Sequence, residues 1–161
     1  MGLLAVDRRL AGGRVTAGKT VRQIAETPHI RSEKDEQRLC DSFMLRASWE
    51  VICFSQPHEA SGMTLGIADR RYRRPAQAFW WEVKTEDPKS KLSREQEAFL
   101  LGEIAAGQWA GCGTLDDLIE YHASMLSGYP LVHRMNQREL IARWVLKGYR
   151  PTPKSRRRRH C

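Results

Sequence analysis

The fold prediction begins with the most apolar strand-like stretch in the chain, Ala78-Phe-Trp-Trp-Glu-Val-Lys-Thr85. Alternate residues of a strand point to opposite faces, so Trp80, Glu82 and Lys84 share one face and the apolar residues between them share the other. Burying charged groups costs free energy unless they are paired or bound to a metal. A Glu and a Lys on so apolar a strand therefore indicate either a functional site or a salt bridge on an edge strand.

An acidic residue lies on the strand predicted immediately upstream. This strand covers about residues 64–72 and is followed by a turn through residues 74–76. If the two strands pair as a hairpin, Asp69 and Glu82 converge on one spot. Two converging carboxylates can hold a hard cation such as Mg²⁺, and a neighbouring Lys84 can orient or activate a metal-bound water and offset negative charge at a phosphate. Together these residues predict a site of phosphodiester hydrolysis.

The remaining segments predict a small mixed α/β domain with one added helix. Helices are predicted at about 33–46, 94–107, 115–126 and 137–147, and further strands near 49–53 and 109–113. Each helix follows a Ser, Thr or Asn that is suited to cap it, with an acidic residue or Gln three positions on. The chain is thus divided into an irregular arm (1–30), a core (31–127), a helical extension (128–150) and a tail (151–161).

The composition of the 161-residue chain excludes several classes of protein. Hydrophobic residues make up 41% and charged residues 29%, which is too apolar for a disordered chain. No apolar run approaches the roughly 18–20 residues of a membrane span, and the stretch MGLLAVDRRLAGG carries charges where a secretory signal has its apolar core. Four cysteines without a CxxC pair are typical of reduced thiols rather than of a zinc ribbon. We therefore expect a cytoplasmic protein without a membrane partner.

The net charge of +8 is concentrated near the C terminus. Residues 147–161 hold seven Lys or Arg and no acid, which leaves about +1 for the rest of the chain. Such a block is attracted to polyanions, and it is equally compatible with a tail that only aids solubility. A second basic cluster comprises Arg70, Arg71, Arg73 and Arg74. It follows Asp69 directly and is either a solvated face or a set of phosphate contacts.

Five short motifs occur in a fixed order across about residues 31–125. They are Ser32-Glu33-Lys-Asp-Glu36-Gln37, Gly66-Ile-Ala-Asp69, Trp81-Glu82-Val-Lys84-Thr85, Leu92-Ser93-Arg-Glu-Gln96 and Gly113-Thr-Leu-Asp-Asp-Leu118. As an ordered set they resemble the VRR-NUC domains, the virus-type replication-repair branch of the PD-(D/E)XK nucleases. The resemblance implies a restriction-endonuclease-like core, with a small central mixed sheet flanked by helices, and Mg²⁺- or Mn²⁺-dependent cleavage of DNA. It further implies a homodimer that acts on branched DNA such as four-way junctions, in a bacterial or phage-infected cell.

The resemblance also implies roles for individual residues. Asp69 and Glu82 would be metal ligands, and the backbone carbonyl of Val83 would be a further one. Lys84 would position the attacking water. Gln96 would lie close to the metal and orient Lys84 or a phosphate, although it also suits a helix cap and a capping role alone is an alternative.

An acid of the first helix completes the site of the family. Glu33 matches best by motif, while Asp35 and Glu36 are neighbours that could substitute for it. A first-turn acid is also favoured by the helix dipole alone, so a purely structural role is open for Glu33. The chain departs from the family in having Ala68 where the family has Pro, a position that supplies no side-chain chemistry.

The predicted DNA contacts lie in the two basic clusters. They are Arg70, Arg71, Arg73, Arg74, Arg156, Arg157, Arg158 and Arg159. The function predicted from these features is a metal-dependent, structure-selective DNA endonuclease. The alternative is a catalytically silent DNA-binding or partner-binding protein on the same fold, since electrostatic attraction alone gives sequence-tolerant binding. An RNA substrate is also compatible with the sequence.

Overall fold

The computed structural model describes residues 30–54, 66–127 and 130–150, with the backbone alone for residues 130–136. The elements in chain order are α1 (Glu33–Arg46), β1 (Glu50–Cys53), β2 (Arg70–Arg74), β3 (Gln77–Val83), α2 (Arg94–Ala105), β4 (Trp109–Gly113), α3 (Leu115–Leu126) and α4 (Pro130–Leu146). The predicted class, a mixed α/β fold with a small central sheet flanked by helices, is confirmed. No helix in the described ranges is long and apolar enough to cross a membrane.

The four strands form one mixed sheet in the order β1-β2-β3-β4. β1 and β3 both pair with β2 in antiparallel fashion, and β3 pairs with β4 in parallel. A two-residue turn joins β2 to β3, and its second residue, Ala76, takes up the left-handed conformation with φ 62°. The parallel pair requires a crossover connection, which α2 supplies. β3 is thus an interior strand with partners on both sides.

The faces of β3 separate two clusters of buried side chains. Phe79, Trp81 and Val83 pack with residues of α1 and α3, while Trp80 packs with residues of α2 and α4 on the other face. This confirms the alternation predicted for the apolar strand. α4 also lies beside β4, where the side-chain oxygen of Gln137 accepts a hydrogen bond from the Ala110 amide at 3.1 Å. The outer edge of β4 is therefore covered, which protects it from pairing with another chain.

Four predicted element bounds are wrong. The helix predicted over 94–107 ends at Ala105. The last helix begins at Pro130 rather than near residue 137, because proline suits the first turn of a helix and the Asn136-Glu139 pair lies inside it. The strand predicted over 64–72 is observed at Arg70–Arg74; residues 64 and 65 lie outside the described ranges, and Gly66 has φ 87°. The apolar strand ends at Val83, two residues earlier than predicted. The N-terminal arm and the basic tail lie outside the described residues, and the domain boundaries remain predictions.

Candidate active site

The hairpin brings the two predicted carboxylates together. Arg70 pairs with Trp81 across the β2–β3 ladder, so Asp69, one residue upstream, lies opposite Glu82. The Asp69 amide donates a hydrogen bond to Glu82 Oε2 at 3.1 Å. Both residues are buried, and two adjacent acids in a poorly solvated place need compensating positive charge.

Lys84 supplies positive charge from the same strand. Its amide donates to the Gly113 carbonyl at 2.8 Å and so continues the parallel pairing beyond β3. Its Nζ donates to Glu82 Oε1 at 2.7 Å, and the residue is 0% exposed. Lysine is almost never fully buried without a partner. The edge-strand salt bridge considered as an alternative is wrong, because this ion pair lies in the interior on a central strand.

Gln96 joins this pair from the first turn of α2. Its Nε2 donates a short hydrogen bond to Glu82 Oε1, and its Oε1 accepts from Lys84 Nζ at 3.5 Å. The same Oε1 accepts from the Ser93 amide at 3.0 Å, which completes the capping box of α2. Gln96 therefore caps its helix and contacts the Glu82–Lys84 pair at once. The capping box fixes the side chain where it meets the pair.

The first helix presents one of its three predicted acids to the site. Glu33 and Gln37, four residues apart and hence on one helix face, line the same cleft as Asp69. Glu36 is turned away, since its Oε1 accepts from the Leu115 amide at 2.6 Å at the start of α3. Asp35 interacts with the Ser32 cap. Of the three acids, Glu33 is the one placed for a role in the cleft.

Gln37 is a site residue that the sequence analysis missed. Its Nε2 donates to Asp69 Oδ2 at 3.4 Å. Arg70 holds both groups, because Nη2 donates to Gln37 Oε1 at 3.3 Å and Nη1 donates to the Asp69 carbonyl at 3.0 Å. Asp41 on α1 in turn binds the guanidinium of Arg70 at 2.9 Å. The spacing of four residues from Glu33 was the signal that could have identified Gln37.

The four clustered arginines do not form one surface. Arg70 is directed to α1 through Asp41, and Arg74 lies over the Trp49 ring at 4.4 Å on the same face of the sheet. On the opposite face, the Arg71 guanidinium lies 5.0 Å from the centre of the Trp80 ring. Arg73 forms an exposed salt bridge with Glu50 on the neighbouring strand β1. This division follows from strand alternation. DNA contact by these residues remains a prediction, and Arg156 to Arg159 lie outside the described residues.

Burial raises the pKa of both carboxylic acids. For Asp69 the burial effect is opposed by the charge of Lys84 and reinforced by that of Glu33. For Glu82, burial raises the pKa from 4.5 to about 7, against the effect of Lys84 and together with that of Asp69. A raised pKa means that ionising these groups without a further cation is unfavourable. The mutual repulsion of Asp69 and Glu82 favours binding of a cation at this place.

The cleft beside these groups has a volume of about 420 Å³ and is lined by Glu33, Gln37, Cys53, Phe54, Asp69, Arg70, Gln96 and Arg150. In the described part of the chain, no three His, Cys, Asp or Glu side chains are grouped closely enough to hold a metal ion. The available donors are carboxylate and backbone oxygens. This chemistry suits Mg²⁺, which is commonly bound through one or two carboxylates and keeps several waters.

Comparisons with protein-family models, with curated proteins and with solved structures find no match to this chain. Any function assigned to the cleft therefore depends on its geometry and on the ordered motifs.

Proposed function

We propose that the protein is a Mg²⁺- or Mn²⁺-dependent DNA endonuclease that hydrolyses phosphodiester bonds at this cleft, on a core of the restriction-endonuclease type. The observation that carries the proposal is the fully buried Lys84, which is held by Glu82 and Gln96, while Glu82 also accepts a hydrogen bond from the Asp69 amide. A buried Lys–Glu pair is weak evidence for stability, because apolar residues of similar size often stabilise a fold as well or better. A catalytic role explains the placement of the pair.

Oxygen donors at the hairpin would hold the cation. They are the carboxylates of Asp69 and Glu82 and the carbonyl of Val83. The carboxylate of Glu33 on α1 pairs with Arg150 at 3.8 Å and is not grouped closely with the other two acids, so it would have to move toward the ion to become a further donor. When bound, the ion would supply positive charge that offsets the acids and polarises a phosphate or a water molecule. A bound cation would also stabilise the ionised forms of Asp69 and Glu82, whose pKa values are raised mainly by burial.

The chain's own residues would order the reactants around that charge. Lys84 Nζ is held by two acceptors, Glu82 Oε1 and Gln96 Oε1, and an ammonium group has three protons to donate. It therefore keeps a third donor for an attacking water or a phosphate oxygen. Because Lys84 is fully buried and Asp69 and Gln96 line the cleft in front of it, the reactant or the side chain would have to move for this contact to form. Gln37 and Arg70 would keep Asp69 aimed at the cleft, since they bond to its carboxylate and its carbonyl respectively. Such pre-positioned donors lower a barrier because they need no rearrangement during the reaction.

Branched DNA, such as a four-way junction, is the proposed substrate, and a homodimer is the proposed assembly. Both proposals come from the resemblance to VRR-NUC domains. A two-fold dimer would place two clefts in a symmetric relation, which suits paired cuts in two strands.

Cleavage of end-labelled DNA tests the proposal. A four-way junction and a linear duplex of the same sequence are incubated with Mg²⁺, with Mn²⁺ or with EDTA. Asp69→Asn and Lys84→Ala should abolish cutting, while Asp116→Asn and Lys34→Ala, which remove the same charges from exposed helix positions, should not. Unchanged turnover in Asp69→Asn or Lys84→Ala would refute the assignment. Equal cutting of both substrates would retain the nuclease and refute the selectivity for branched DNA.

The second candidate is a DNA-binding or partner-binding protein without nuclease activity. One observation favours it: both oxygens of Glu82 already accept hydrogen bonds within the protein, from Asp69, Lys84 and Gln96. Calorimetric titration with Mn²⁺ separates the two candidates. Saturable binding that is lost in Asp69→Asn favours the enzyme. DNA binding without metal binding or cleavage favours the second candidate.

A further inference from the structure

The chain that leaves α4 crosses the start of α2 beside the cleft. Gly148 has φ 86°, a left-handed conformation that ends the helix. Two residues later, the Arg150 amide donates to the Leu92 carbonyl at 2.9 Å. Between them, the Tyr149 hydroxyl donates to Glu97 at 2.7 Å. Residues 147–150 are thus fixed against the helix turn that carries Gln96.

Four cations surround this crossing, and together they form a surface that we name the basic rim: Lys91, Arg94, Lys147 and Arg150. Lys91 Nζ lies 3.4 Å from where a Cβ on Gly148 would be. The Arg94 guanidinium lies 5.2 Å from the centre of the Tyr149 ring. Lys147 and Arg150 belong to the crossing segment itself.

The acids near the basic rim form only long and exposed salt bridges with its cations. Lys147 meets Glu86 at 3.9 Å, and Arg150 meets Glu33 at 3.8 Å. All four side chains are 42% exposed or more, and exposed ion pairs of this kind contribute little to stability because water and salt screen them. A phosphate group can therefore replace these carboxylates as a partner at little cost.

The basic rim reaches the cleft through one of its members. Arg150 lines the cleft together with Asp69 and Gln96. In the sequence, the eleven residues after Arg150 include Lys154 and the run Arg156–Arg159. The rim therefore places positive charge at the edge of the candidate active site.

We infer that the basic rim binds the phosphate backbone of the DNA strand that enters the cleft, with Arg150 at the contact nearest to the reacting groups. The inference rests on the proposed function and adds a path for the substrate. The planar guanidinium of Arg150 can bind phosphate through two hydrogen bonds. Exchanging Glu33 for a phosphate would also release the Glu33 carboxylate toward the cleft, so DNA binding and completion of the metal site would be linked.

Fluorescence anisotropy with a labelled four-way junction in EDTA tests the rim without any cleavage. The full chain is compared with Arg150→Gln, with Lys91→Gln and with their combination. Each lost phosphate contact should lower the slope of log affinity against log salt by about 0.9, which corresponds to roughly an eightfold loss at 0.1 M salt. The matched control is Arg143→Gln, which removes one charge from an exposed pair with Asp117 at 3.5 Å on α3.

Rim variants with reduced slopes beside an unchanged control support the inference. Unchanged slopes in the double variant, or an equal loss in Arg143→Gln, would overturn it. Thermal unfolding of every variant identifies any loss that comes from misfolding, and Arg150→Lys, which keeps the charge, should restore most of the slope. If the wild type cleaves DNA but the rim variants keep the wild-type dependence of affinity on salt, the inference about the rim is rejected and the nuclease proposal stands. Rim-dependent binding without cleavage would reject the nuclease alone.

Discussion

Replacing Glu82 by Gln should change how the stability of the protein depends on pH. The carboxyl is 1% exposed, and its burial raises the pKa from 4.5 to about 7 in the folded state. The folded protein therefore holds a proton on Glu82 at pH values where the unfolded chain has released it. This contribution to stability is fully present below pH 4.5 and is lost as the pH rises through 7.

The size of the effect follows from the shift. One pKa unit corresponds to 1.36 kcal/mol, so a rise from 4.5 to about 7 corresponds to about 3 kcal/mol. Most of this change falls between pH 5 and pH 8.5. The amide that replaces the carboxyl would not titrate and can still accept a hydrogen bond from Lys84. We therefore expect the free energy of unfolding of Glu82→Gln, relative to that of the wild type, to increase by roughly 2–3 kcal/mol from pH 5 to pH 8.5.

Urea unfolding in EDTA at pH 5, 7 and 8.5 measures this difference, because other titrating groups cancel when variant and wild type are compared at the same pH. Glu120→Gln, at an exposed position of α3, is the control and should give a difference that does not vary with pH. A difference for Glu82→Gln that is equally flat would refute the reasoning. It would mean that Lys84 keeps the carboxylate ionised throughout.

Three further measurements test separate parts of the molecule. At pH 8, saturating Mn²⁺ should stabilise the wild type, by about 2.7 kcal/mol at 100 times the dissociation constant, and should raise Tm by scanning calorimetry; an equal rise in Asp69→Asn would contradict metal binding at this site. Burial, aided by the charge of Arg74, lowers the pKa of His122, whose Nε2 accepts a hydrogen bond from Trp49 at 3.1 Å. The contribution of His122 to stability should therefore be full above pH 6.5 and fall below it, opposite in sign to the contribution of Glu82. Denaturation of His122→Gln should lack that fall, and an identical pH profile would exclude His122 as its cause. Deleting residues 151–161 should weaken DNA binding and flatten its salt dependence, whereas equal slopes for both chains would exclude a role for the tail.

Local signals predicted most of the fold. α1 and α3 begin where predicted because Ser32 and Thr114 accept hydrogen bonds from the amides three residues on. The faces of β3 followed from simple alternation. The start of α4 was mistaken because two competing signals, a first-turn proline and a downstream Asn-Glu pair, are close in sequence, and only packing decides between them.

The candidate site was predictable only in part. Sequence order brought Asp69, Glu82 and Lys84 to one hairpin, and the spacing of four residues from Glu33 places Gln37 on the same helix face. Arg150, by contrast, reaches the cleft through tertiary packing that no local pattern encodes. The choice between Glu33 and Glu36 depended on helix rotation. Each residue turns a helix by about 100°, so Glu33 shares a face with Gln37 while Glu36 faces α3.

The cost of the buried charges is the strongest physical argument for a functional cleft. Glu82 and Lys84 are 1% and 0% exposed, and taking two such ions out of water costs several kcal/mol each before their attraction is counted. The pair is held by the cap of α2 through Gln96 and by the hairpin through the Asp69 amide. Apolar side chains would satisfy the same packing without this cost. An arrangement that keeps a carboxylate, an ammonium group and a second acid together beside a cleft has no evident benefit for stability, and it therefore supports the hydrolysis of a phosphodiester that we propose.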